Sequence, residues 1–255
     1  MKYDRLIMFC DYGLDDAVAT LHILQNADMF AAIDIVPIGG NVTAETAYGN
    51  AHTLLYHAKA DKAKVRIVDT RGIAQSAADI PEIHGKDGIG DILPAKPSDI
   101  PVVPFDAFKE QVKKTRTSRD CVLSLGPCTI PVRLGYVPFC TVLMGGTVSE
   151  PPNYGKYEFN EGMDASAFAR LSYRSAAVAT LDSCHDKKMR YDDICPGNAL
   201  AATLVDKYMS MCKERNAPET VYDYVAALAV THPERFDVVR VKRDDGVEFN
   251  MLQAR

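Results

Sequence analysis

The chain has 255 residues, 47% of them hydrophobic and 25% charged, the balance of a globular protein long enough to bury a substantial core. A net charge of −5 argues against a general nucleic-acid or anionic-membrane binder, and no apolar run approaches the ~20 residues of a membrane-spanning helix. Seven scattered cysteines, an odd number with no CxxC pair, favour free buried thiols over a disulfide framework or a zinc site.

Residues 5–18 read RLIMFCDYGLDDAV. The apolar run Leu6 to Cys10 predicts a buried strand. It stops at Asp11, too short for a signal peptide, so the chain is expected to be cytoplasmic. Gly13 permits a sharp turn, and Asp15 and Asp16 suit the start of a helix predicted to run to Gln25. Three carboxylates thus fall at the carboxyl end of a first strand, the edge where open α/β sheets bind ligands. Carboxylates this close repel one another unless a cation lies among them, and oxygen donors suit Ca²⁺ or Mg²⁺. A plainer reading also fits: Asp11 ends a strand and Asp15 and Asp16 only cap a helix.

A second strand is predicted over Ile33 to Ile38, ending in Gly39-Gly40-Asn41, and Thr43 is placed to cap a helix reaching Ala60. This strand, glycine turn and helix is the rhythm of a parallel sheet. A third strand is expected at Val65 to Val68. Residues 70–105 lack periodicity and hold several prolines, as functional loops often do. An amphipathic helix is predicted over 106–117, then strands at Cys121 to Leu125, Thr141 to Met144 and Ala176 to Leu181. Helices follow from about Gly197 to Lys213 and from about Glu219 to Thr231, then a β-hairpin turning at Asp245-Gly246. The expected fold is α/β: one domain spanning 1–255, an open, mostly parallel sheet flanked by helices, with a small C-terminal hairpin.

Several segments, in order, resemble the inosine-uridine nucleoside hydrolases. CDYGLDDA resembles the motif D-x-D-P-G-x-D-D-A, with Phe9 at its first Asp and Tyr12 at its Pro. IGGNVT, IHGKDGIGD, Leu125-Gly126-Pro127-Cys128-Thr129, VLMGG, and Glu158-Phe159-Asn160 with Asp164 resemble later motifs. Tyr222-Asp223 occupies a pair that is usually His-Asp.

The resemblance implies a Ca²⁺ held by Asp11, Asp16, Asp223 and the Leu125 carbonyl. It implies Asp11 as general base, and Asp15, Asn153, Glu158 and Asn160 on the ribose hydroxyls, with Asn41 a further ribose-facing residue. It also implies His84 facing the substrate on a mobile loop. His185 reads as a rim or structural residue. The implied activity is Ca²⁺-dependent hydrolysis of the N-glycosidic bond of a ribonucleoside, in nucleoside salvage, by a homodimer or homotetramer. Phe9 removes a carboxylate from beside the metal, a kind of change that costs about 10–100-fold in affinity or activity. Tyr222 replaces the residue that would protonate the leaving base, and a phenol of pKa about 10 is a weaker acid than imidazolium. The preferred base is therefore expected to be a better leaving group than hypoxanthine, a pyrimidine or a modified purine such as that of queuosine. The alternative is a catalytically weak nucleoside- or ribose-binding member of the same fold. A phosphatase with an Asp nucleophile fits poorly, because its second Asp would fall on Gly13 and no phosphate-cradling glycine loop is present.

Overall fold

A computed structural model describes residues 2–78, 80–189, 191 and 194–255. Strand β1 (Arg5–Cys10) leads into helix α1 (Leu14–Gln25), then β2 (Ile33–Pro37), α2 (Ala44–His57) and β3 (Val65–Asp69). Short elements α3 (Pro81–His84) and β4 (Val102–Pro104) precede α4 (Phe105–Thr115). Next come β5 (Asp120–Ser124), α5 (Thr129–Leu134), β6 (Cys140–Met144), α6 (Phe159–Met163), α7 (Ala165–Ser172), β7 (Ala177–Ala179) and α8 (Leu181–Cys184). The chain closes with α9 (Ala199–Glu214), α10 (Tyr222–Thr231), β8 (Phe236–Lys242) and β9 (Glu248–Ala254).

Among the described residues, nine strands form one sheet in the order β4-β3-β2-β1-β5-β6-β7-β9-β8. All pairings are parallel except β8 with β9. The predicted hairpin is present, and Val178 of β7 pairs with Met251 of β9 to join it to the sheet. Alternation along β1 sends Leu6, Met8 and Cys10 to one face, where they pack with α1, α2, α9 and α10, and Ile7 and Phe9 to the other, beneath α4 and α5. Phe168 and Leu171 of α7 cover Leu143, Val178 and Phe249 on that second side.

The unperiodic 70–105 segment contains α3 and β4. β4 is a three-residue edge strand with little buried surface, which explains its silence in the sequence pattern. The expected strand 176–181 is shorter, because Thr180 accepts from Ser183 N–H and starts a helical turn there. All seven cysteines are free, and Cys121 and Cys140 face each other in register across β5 and β6. Among the described residues no helix is long and apolar enough to cross a membrane.

Candidate active site

The chain winds outward from β1 to β4 on one side and from β5 to β8 on the other, so the carboxyl ends of β1 and β5 flank the crevice where the strand order reverses. Asp11 lies at that point and is fully buried. Both its oxygens accept from Asn41: Oδ2 from the backbone N–H at 2.8 Å and Oδ1 from the side-chain amide at 3.2 Å. A Cβ at Gly40 would lie 1.9 Å from Asp11 Oδ2, and one at Gly126 2.8 Å from its Cγ. Only glycine lets the loops after β2 and β5 close over Asp11.

Asp16, in the first turn of α1, accepts from the Gly13 and Asp11 backbone N–H groups at 2.8 and 3.1 Å. Its carboxylate therefore ties the turn together as well as facing the site. Asp223 arrives from the first turn of α10. One oxygen each of Asp15, Asp16 and Asp223 lies within 4.8 Å of the others. Asp15, expected on the ribose, thus joins the acidic group, while Asp11, expected in it, sits beside Asp16 under the hold of Asn41.

Burial, then the charge of Asp11, pushes the Asp15 carboxyl up to about 7. Burial, then the charge of Asp15, does the same for Asp16. Asp11 and Asp223 are raised as well, burial again foremost. The buried Asp15 Oδ1 has no hydrogen-bond partner within the protein. Among the described residues no Lys or Arg lines the cavity above this group. Crowded buried carboxylates with an unpartnered oxygen and no organic counter-charge fit a hard divalent cation, to which the Leu125 carbonyl at the cavity wall could add a neutral oxygen.

That cavity has a volume of about 360 Å³. Asp15, Asn41, His84, Leu125, Asn153, Glu158, Asn160, Tyr222 and Asp223 all line it, and Asp11 and Asp16 lie beneath. Glu158 caps α6: its Oε2 accepts from Gly146 and Glu161 N–H at 2.9 and 3.0 Å. Burial raises this carboxyl to about 7 against the opposing pull of those N–H groups. Asn160 donates to the Leu125 carbonyl at 2.6 Å and to the Met144 carbonyl at 3.2 Å, bridging the ends of β5 and β6. Asn153 accepts from Phe159 N–H at 2.9 Å.

His84 ends α3 and is buried. Leu14 N–H donates to its Nδ1 at 3.1 Å, so Nε2 carries the ring proton. Burial lowers its pKa to about 3, so its 3.9 Å approach to Asp15 is that of a neutral imidazole. Its ring stacks on Tyr208 of α9, with centroids 6.1 Å apart. No sequence pattern marked Tyr208, because a buried aromatic on a helix face reads as core.

The Tyr222 hydroxyl lies 3.1 Å from His185 Nε2, and His185 Nδ1 lies 3.0 Å from Glu150 Oε2. His185 is therefore the middle of a chain that runs from a loop carboxylate to a hydroxyl at the cavity wall. Glu150 carried no signal in the sequence, since it sits alone in a polar loop.

The sequence pattern of the inosine-uridine preferring nucleoside hydrolases matches residues 6–132, about half of the chain and the part carrying Asp11, Asp15, Asp16 and His84. The chain belongs to this family. Its fold recurs in solved structures of similar proteins. It is 20% identical to a purine-preferring ribonucleoside hydrolase from Gardnerella vaginalis, with a TM-score of 0.72 over 98% of this chain and 93% of that one. An inosine-guanosine nucleoside hydrolase, also 20% identical, gives a TM-score of 0.72 over 94% of this chain and 82% of the other. An inosine-uridine preferring nucleoside hydrolase from Bacillus anthracis gives 0.67 at 19% identity, over 98% and 94%. No curated protein sequence matches the chain.

In this member of the family, the two departures in the first motif have structural counterparts. Phe9 belongs to the apolar cluster of Ile7, Val36 and Phe108, so this position contributes to the core. Tyr12 is buried with φ of 47°, a conformation closed to proline, whose φ is fixed at about −65°.

Proposed function

We propose that this chain hydrolyses the N-glycosidic bond of a ribonucleoside with the help of a bound Ca²⁺. The observation that carries the reading is the convergence in one cavity of the acidic group, the Glu158–Asn160 pair and the Tyr222–His185–Glu150 chain. The outer wall is apolar, formed by Ile80, Ile83, Tyr154 and Phe159, and suits a flat heterocycle. With no cationic side chain among its described lining residues, the cavity suits a neutral nucleoside better than a nucleotide.

Asp15, Asn153, Glu158 and Asn160 hold the ribose hydroxyls, with Asn41 beneath them holding Asp11. The same oxygens place negative charge around the ribose, where positive charge develops as the base departs. Asp11 accepts the proton of the attacking water. Asp16 and Asp223, with Asp15 and the Leu125 carbonyl, would hold the cation, whose Lewis acidity makes water easier to deprotonate and offsets the crowded negative charge.

On the opposite side, Tyr222 donates its proton to the departing base. It recovers one from Nε2 of the His185 imidazolium, whose Nδ1–H stays on Glu150, and the neutral ring left behind takes its next proton from solvent at the partly exposed loop. The neutral His84 offers Nε2–H as a further donor toward substrate. A phenol drawing on an imidazole suits bases that leave with modest help, pyrimidines or modified purines.

Base release from a nucleoside panel, followed by chromatography with Ca²⁺ and with chelator, tests the reading. Release that stops with chelator and with Asp11→Asn supports it. Bound nucleoside recovered intact after long incubation with Ca²⁺ would instead favour a binding protein. Inosine turned over as efficiently as every alternative would overturn the base preference alone.

A further inference from the structure

We propose that the C-terminal hairpin belongs to the active-site machinery, with Arg243 as a positioning residue for the Glu158-bearing segment. This rests on the reading of Glu158 as a ribose ligand. Arg243 stands at the end of β8, and only 11% of its side chain is exposed. Its Nη1 donates to Glu161 Oε2 at 2.7 Å and its Nη2 to Glu161 Oε1 at 2.5 Å, a two-pronged pair with a carboxylate only 1% exposed. Nη1 also donates to the Thr147 carbonyl at 3.2 Å. Asp245 sets the guanidinium from behind through Nε and Nη2, and the hairpin turn closes with Gly246 N–H on the Arg243 carbonyl at 3.0 Å.

Glu161 and Thr147 belong to the two segments that Glu158 itself bridges. Glu158 Oε2 takes N–H bonds from Glu161 on α6 and from Gly146, one residue before Thr147. Arg243 therefore clamps, from outside the cavity, the same pair of segments that Glu158 joins from inside. Without the outer clamp, the Glu158 carboxylate keeps its bonds only to segments free to separate. An ammonium group cannot replace the planar fork.

The test uses the full-length protein loaded with Ca²⁺ and two readouts that need no catalysis: hydrogen exchange over residues 146–163, and the affinity for free ribose by calorimetry. Arg243→Ala is expected to speed exchange in that segment and to weaken ribose binding about tenfold, the scale of a charge-assisted hydrogen bond to a displaced ligand. Arg243→Lys and Glu161→Gln, which preserve charge or shape and keep the protein folded should Arg243→Ala fail to fold, are expected to fall between. In turnover, KM should rise and kcat should fall as well, since Glu158 also faces the charge that develops on the ribose. Unchanged exchange, or faster exchange with unchanged ribose affinity, would overturn the inference. Absence of turnover in the wild type would count against the hydrolase reading while leaving both of these readouts decisive.

Discussion

Asn41 donates both its backbone N–H and its side-chain amide to the two oxygens of Asp11, at 2.8 and 3.2 Å. It lines the cavity, yet its donors point at the carboxylate rather than at open space. These donors are placed to aim Asp11. Asn41→Ala is expected to lower kcat by about 10–100-fold, as loss of a residue that orients a ligand or base does, with a smaller change in KM. Steady-state kinetics on the best substrate checks this, and a change confined to KM would return Asn41 to the ribose.

The Tyr222–His185–Glu150 chain makes a distinguishable prediction. His185→Ala should lower kcat on a nucleoside by about 100-fold, at the lower end of general acid contributions. It should scarcely affect p-nitrophenyl riboside, whose leaving group needs no proton. Glu150→Gln should show the same pattern more weakly. Equal losses on both substrates would mean that His185 supports the fold of the loop instead.

Cation dependence should be visible without turnover. Ca²⁺ binding only the folded state raises the melting temperature in a concentration-dependent way. Chelator should abolish that rise, and Asp16→Asn or Asp223→Asn should greatly weaken it, since each removes a charge from the buried group. Calorimetric or fluorimetric melting with and without Ca²⁺ is the measurement.

A 5′-monophosphate should be a poor substrate. Its dianion would enter a cavity bordered by Asp15, Glu158 and Asp223, with no Lys or Arg among the described lining residues. Comparing kcat/KM for a nucleoside and its 5′-nucleotide should show a loss of at least about 100-fold, the scale of one unpaired charge brought into a buried site.

His22 offers a pH prediction away from the site. It is buried on α1, 2.8 Å from Thr231 Oγ1 and edge-on to Tyr224. Burial first, then the charges of His232 and Arg235, lowers its pKa to about 4. Between about 6.5 and 4 the unfolded chain binds a proton that the folded chain refuses, so stability falls as pH falls through this window. The full loss is roughly 3 kcal/mol. The acidic cluster titrates too, so the readout is the difference in unfolding free energy between wild type and His22→Gln, followed from pH 7.5 to 4.5. That difference should favour the variant increasingly toward acid.

Local chemistry was legible in the sequence where it acts over a few residues. Asp15 and Asp16 stand together because the turn after β1 opens α1 beside them. Glu158 caps α6 and Asn160 lies in its first turn, and the hairpin turn at Asp245-Gly246 follows from strand periodicity on either side. The parallel α/β architecture followed from the same alternation of apolar runs, glycine turns and helices. Tertiary structure decided how the distant pieces meet. Packing of α10 against α1 brings Asp223 to Asp16, as the resemblance implied, and sets Asp15 with them, while the Asn41 amide at the cavity wall reaches Asp11. His185 meets Tyr222 and Glu150, each at least 35 residues away, and Arg243 meets Glu161 from 82 residues away. Hydrogen bonds and charge pairs across such separations leave no period in a sequence, because the spacing that matters is set by the fold and not by the chain.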